Sequence, residues 1–234
     1  MITRKIGDIE YLLLRSDLRR TADIILERDG TVTVRAPRHL SDEGVDRIVA
    51  KKRYWIYKNL AEWRDLNVRR VIREFRNGEG FLYLGRSYKL SLVINQTEDL
   101  MLKNGRFLLP RTIAQAGDEV ARDAFRNFYL RKGLIKIPQR VALFASKVGV
   151  TLKDVCIRDL NYRWASCSND GKLVFHWKCM MAPLKITDYI VVHELCHLHH
   201  RDHTQEFWNE IDKVMPDYQE RKAWLRENGA SLDV

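Results

Sequence analysis

Tyr189-Ile190-Val191-Val192-His193-Glu194-Leu195-Cys196-His197 is an apolar run that passes directly into an HExxH pattern. Its spacing predicts a helix, with Pro183 suited to the first turn and an end near Leu198. On that helix His193 and His197 share one face about one turn apart, so both imidazoles reach a single ion. Zinc accepts neutral imidazole at about 2.0–2.1 Å, and a catalytic zinc keeps one position open for water. Glu194 falls beside the ligand stripe, where its carboxylate can take a proton from that water without occupying the metal. The competing reading is a polar helix with solvated histidines. The apolar residues ahead of the motif argue for a buried turn, where polar groups need partners.

The third ligand follows from geometry. His200 lies at i+7 from His193, about 10.5 Å along a straight helix, whereas two ligand atoms on one zinc can be no more than about 4 Å apart. His199 points away from His197, so His199 and His200 are expected to be solvated loop residues. His203 comes after six residues in which the chain can turn back, giving the spacing HExxHxxxxxH. Glu206 and Glu210 are the carboxylate alternatives. Metzincins share this placement of the third histidine but have glycine where this chain has His200.

The surroundings resemble the YgjP-like metallopeptidase family, in the neighbourhood of the SprT-like and WLM zinc peptidases. Carrying the resemblance are Arg163-Trp164-Ala165-Ser166-Cys167-Ser168, the segment APLKITDYIVVHELCHL at 182–198, His203, Phe207-Trp208 and MPDYQERKAWL at 215–225. Weaker echoes are Leu18-Arg19-Arg20, VRAPRHLS, Trp55-Ile56 and FLYLGRSYKL. The resemblance implies one zinc per chain on His193, His197 and His203, Glu194 as general base, and a zincin-like α+β fold. It also implies a peptide or protein substrate. Ala165 stands where the family has glycine, so a positive φ there would reshape the tip of its hairpin.

The rest of the 234-residue chain fits a soluble protein of one large domain or two small ones. No apolar run approaches the roughly 18 residues of a membrane span, and the N-terminus reads as no signal peptide, so a cytoplasmic protein is expected. Four cysteines, with no CxxC pair, read as reduced thiols rather than a disulfide scaffold. Net charge is +10, divided as +5 over residues 1–80, +9 over 81–183 and −4 over 184–234. A basic body can attract nucleic acid or acidic substrates, or simply keep the surface solvated.

Runs 22–27 and 31–36 predict a hairpin through Asp29-Gly30. Ser41 caps a helix with apolar positions Val45, Ile48, Val49, Ile56, Leu60 and Trp63. The interleaved Tyr54, Trp55 and Tyr57 read as core, with base stacking among the basic residues as the second reading. Hairpins are expected over 81–94 and over 101–109, helices over 118–132 and 134–148, and a long-tipped hairpin from 155–160 and 172–178. That last hairpin is also expected to supply an edge for an extended peptide, with Val174, His176 and Lys178 on one face. Thr204 and Asp217 start the last helices. No internal repeat is evident. The boundary is placed near 110–117, giving a β-rich part at 1–115 with one long helix and a zincin-like catalytic part at 116–234. Arg163 is the candidate second donor to a developing oxyanion, with a structural ion pair as the alternative. The expected function is a zinc metallopeptidase. Its competitors are a zinc hydrolase acting on another acyl group and a basic nucleic-acid-binding protein with a structural zinc.

Overall fold

The computed structural model describes residues 2–26, 30–67, 73–160, 163–168 and 170–234, with the side chains of 62–67 left aside. Two compact units divide the chain, Met1–Arg70 and Val71–Val234, so the boundary read near residue 115 falls inside the second. The reason is packing: Phe81 and Phe107 from 80–110 pack against Phe125 in one core, at ring separations of 4.1 and 5.2 Å.

In the first unit, β1 (Ile2–Ile6), β2 (Ile9–Ser16), β3 (Asp23–Leu26) and β4 (Val32–Pro37) form a sheet in the order β1-β2-β4-β3. β1/β2 and β3/β4 are antiparallel, and β2 and β4 meet in parallel. The expected β3/β4 pairing is present, and Gly30 sits at φ +91°, while Asp29 lies outside the described residues. The single helix expected after Ser41 is two, α1 (Asp42–Lys51) and α2 (Arg53–Asn67), with Lys52 between them. Ser41 caps α1 by accepting from the Gly44 N–H at 3.1 Å. Tyr11, Leu13, Val34, Val45, Val49 and Ile56 form the core of this unit. Tyr54 and Trp55 are not in it, being 82% and 42% exposed. Ile56 occupies the inward position and turns its neighbours outward.

The second unit repeats the strand order. β5 (Gly80–Tyr83), β6 (Arg86–Val93), β7 (Met101–Lys103) and β8 (Arg106–Pro110) are arranged β5-β6-β8-β7, again two hairpins joined by a parallel seam. The seam ends at proline in both sheets, Ser16 opposite Pro37 and Val93 opposite Pro110. Aligned on these prolines the buried positions also repeat, Leu13 matching Leu90, Val34 matching Phe107 and Ala36 matching Leu109, while the residue types agree only in part.

After α3 (Arg111–Gln115), α4 (Asp118–Val148) runs unbroken where two helices were expected. Gly133 serves close packing: a Cβ there would lie 3.1 Å from Cγ2 of Ile157. Pro138 removes one helical hydrogen bond, which the buried face of Phe125, Phe128, Tyr129, Ile137 and Val141 outweighs.

The third sheet, β9 (Asp154–Arg158), β10 (Ala165–Cys167) and β11 (Lys172–His176), has the order β10-β11-β9. The long-tipped hairpin is therefore incorrect. β9 and β11 are parallel, and β10, from within the supposed tip, forms the true hairpin with β11. β11 is central, with β10 and β9 at the two edges, so Val174 and His176 are buried. Ala165 pairs with Phe175 in extended backbone and is absent from the positive-φ residues, so no reshaped tip follows from the missing glycine.

A 3₁₀ turn (Trp177–Met180) leads to α5 (Leu184–Cys196), α6 (Gln205–Val214) and α7 (Tyr218–Asn228). α5 is buried on nearly every side, as its run of Ile186 to Val192 requires. The β5–β6 turn is pinned to the chain entering it, the Leu84 and Gly85 N–H groups donating to Met180 and Met181 carbonyls at 2.8 and 3.0 Å. Arg140 of α4 holds Asp188 of α5 through two bonds of 2.6 and 2.8 Å.

Candidate metal centre

His193 projects from α5 and His197 caps its C-terminal end, still in helical conformation. Leu198, His199 and His200 fold back through N–H bonds to the carbonyls of Leu195 and Cys196. That turn brings His203 back just before Thr204, the N-cap of α6. One nitrogen from each of His193, His197 and His203 lies within 4.8 Å of the others, and Nε2 of His193 and Nε2 of His203 are 3.1 Å apart. Two nitrogens on one tetrahedral zinc stand about 3.3 Å apart, so the donor set fits that ion. Phe207, fully buried, floors the cluster at 4.7–5.0 Å from all three rings.

Burial lowers the basicity of all three histidines, His193 most, with neighbouring imidazoles adding to the effect at His193 and His203. They are therefore neutral with lone pairs available, the form a metal needs. His197 Nδ1–H donates to the His200 carbonyl at 3.0 Å, which leaves Nε2 free for the cluster. Nδ1 of His193 is buried without a hydrogen-bond partner among the described residues.

His199 is exposed and His200 half-buried in the loop between α5 and α6, and both are engaged by one carboxylate. Nδ1 of His199 lies 2.6 Å and Nε2 of His200 2.9 Å from the two oxygens of Glu210. Glu210, an alternative ligand from the sequence, therefore faces the loop, and exposed Glu206 is likewise outside the donor group. Neither the Glu210 contact nor the His200 carbonyl leaves a signature in residue type. Glu210 is itself only 17% exposed and lies three residues after buried Phe207 on α6, so helical spacing alone could not have separated it from the donor group.

Glu194 is 6% exposed, and burial pushes its pKa up to about 8 against the opposing charge of Arg163. Arg163 itself is exposed, next to the edge strand β10. Tyr189 packs, its ring 5.9 Å from His193. All four cysteines are free thiols, and none joins the histidine group among the described residues. No helix among those residues is long and apolar enough to cross a membrane.

A sequence profile described as "YgjP-like, metallopeptidase domain" matches residues 20–228. Among solved structures, the metallopeptidase zymogen abylysin of Pyrococcus abyssi is 23% identical, covering 42% of this chain and 99% of its own, with a TM-score of 0.38. No curated protein matches.

Proposed function

The chain belongs to the YgjP-like metallopeptidase family, and from that premise we propose a zinc-dependent peptidase with one ion held by His193, His197 and His203 and Glu194 as general base. The observation that carries this reading is the convergence of three neutral imidazoles beside one buried carboxylate. A zinc ion there supplies Lewis acidity towards a peptide carbonyl and makes water easier to deprotonate. Glu194 accepts the proton from the attacking water and delivers it to the leaving amine nitrogen. Its burial makes it a stronger base than a surface carboxylate and keeps it in place between the two transfers.

The free side of β10 offers backbone donors and acceptors along which a substrate can lie extended, with Arg163 at its entrance as the candidate donor to the carbonyl oxygen. The zincin-like character of the second unit, the catalytic part of the sequence reading, belongs to this same proposal. A structural zinc is disfavoured because the three donors found among the described residues fall one short of a closed tetrahedral site. A zinc hydrolase of another acyl group would use the same residues, and a substrate panel separates it.

Metal content by mass spectrometry tests the reading, on wild type and His203→Ala purified without chelator or metal-affinity tag. About one zinc per chain, weakened in the variant, is expected. Wild type that takes up no metal even after zinc is added back overturns it.

A further inference from the structure

Residues 184–234 carry a net charge of −4, yet the groove beside the histidine cluster has the opposite sign. Gln205, Trp208, Tyr218, Gln219, Lys222 and Arg226 line about 470 Å³ there, and no acidic residue lines it. Trp208 is its shared wall. Its ring stacks on His203 at 5.6 Å and 23°, and on Tyr218 at 5.6 Å and 17°. The Lys222 ammonium lies 4.0 Å from the centre of the same ring.

Two arginines of this segment are engaged elsewhere: Arg221 donates to Asp217 and the Lys185 carbonyl, and Arg201 to the Ser168 carbonyl. Lys222 has an aromatic face instead, with no carboxylate partner among the described residues. Desolvation lowers its own pKa, and its charge is felt at both His193 and His203. An ammonium resting on an indole keeps N–H donors directed outward, and a carboxylate is the anion that such donors meet most strongly. The Gln205 and Gln219 amides can serve its second oxygen.

We propose that this groove is a carboxylate-binding subsite of the substrate cleft, with Lys222 as the residue that reads the charge. The inference rests on the peptidase reading and adds a substrate class to it: peptides bearing a carboxylate close to the scissile bond. Through one intervening ring the reach from His203 is at most about 10 Å, about three residues of extended peptide. Both an acidic side chain and a free C-terminal carboxylate supply this chemistry.

The test uses the Glu194→Gln protein, which binds without cleaving, and fluorescence anisotropy with four labelled hexapeptides. One is neutral with a free C-terminal acid and one is its amide. The other two are amides carrying a single Glu or Gln at the third position. About tenfold tighter binding of an acid than of its neutral counterpart is expected at low salt. The free-acid pair and the Glu/Gln pair assign the source. Adding Lys222→Met should bring the ratio to about one, while Lys222→Arg keeps it. Equal binding of all four peptides, a ratio that survives Lys222→Met, or an equal loss for all four in that variant overturns the subsite. Failure of the peptidase reading shows separately, as zinc-loaded wild type that cleaves no peptide although the acid preference is present.

Discussion

Gly85→Ala probes the tightest joint between the second sheet and the helix that carries the histidines. Gly85 has φ +79°, and a Cβ on it would meet Cα and Cγ of Pro183 at 2.7 Å and Cβ at 2.9 Å. These atoms belong to backbone or a closed ring, so none can swing aside. Left-handed backbone costs a non-glycine residue about 1–2 kcal/mol, and overpacking adds about 1–3 kcal/mol. A turn that retreats instead gives up the bonds to Met180 and Met181, each worth about 1 kcal/mol. Both routes lead to a loss of about 2–5 kcal/mol. Gly105→Ala is the matched control, because Gly105 has φ +71° with nothing within 4 Å of its Cβ position. It should lose only the conformational part, about 1–2 kcal/mol. Urea unfolding of both variants gives the difference, expected at about 1–3 kcal/mol. Equal losses within about 0.5 kcal/mol would refute the argument that Pro183 is a hard stop for this turn.

Asp188→Ala leaves the Arg140 guanidinium, 24% exposed, without its partner, and should lower stability by about 2–4 kcal/mol. A double-mutant cycle with Arg140→Ala checks this, since near-zero coupling would mean the pair does not join α4 to α5. Glu194→Gln should keep the bound metal and abolish hydrolysis, and hydrolysis that persists removes Glu194 from its role. In the first unit, hydrogen bonds from Arg4 and then Tyr11 hold the Asp46 pKa below its usual 3.8. That contribution is complete above the unfolded value of 3.8 and is lost as pH falls below it towards the folded value. Asp46→Asn should therefore flatten the acid limb of melting temperature against pH, and an unaltered limb would count against the network. Trp55→Ala should weaken any binding of single-stranded DNA, given the exposed Tyr54 and Trp55 beside Lys51 and Lys58. Anisotropy that shows no binding by wild type would dispose of the nucleic-acid reading.

Local signals read true where a residue's own chemistry sets the geometry. The β5–β6 and β7–β8 hairpins follow from Gly85 and Asn104-Gly105, and Ser41 and Thr204 stand at helix starts. His203 was reachable because rise per residue rules out His200 on a straight helix. What sequence did not reveal depends on partners distant in the chain. Nothing in 155–160 shows that it pairs in parallel with 172–176, because a buried strand looks alike in either direction. Gly133 resembles a helix breaker until Ile157 is seen against it. The boundary near residue 115 failed for the same reason, since composition cannot show that Phe81 and Phe125 share a core. At the site, the His200 carbonyl and the Lys222–Trp208 contact rest on chain path and on a ring face, neither of which residue type records.

All three sheets place their last strand in an interior position: β4 between β2 and β3, β8 between β6 and β7, and β11 between β10 and β9. During synthesis from the N-terminus, each sheet therefore exists only as separate pieces until its final strand leaves the ribosome. Until then the first two sheets each hold one hairpin and one unpaired strand, and the third holds two unpaired strands, so none has a neighbour to extend onto. For the third sheet the closing strand ends at His176, and Leu184 begins the histidine-bearing helix eight residues later. The histidine-bearing turn thus emerges onto a sheet that has just closed, so the order of translation matches the order in which the candidate site's supports are needed.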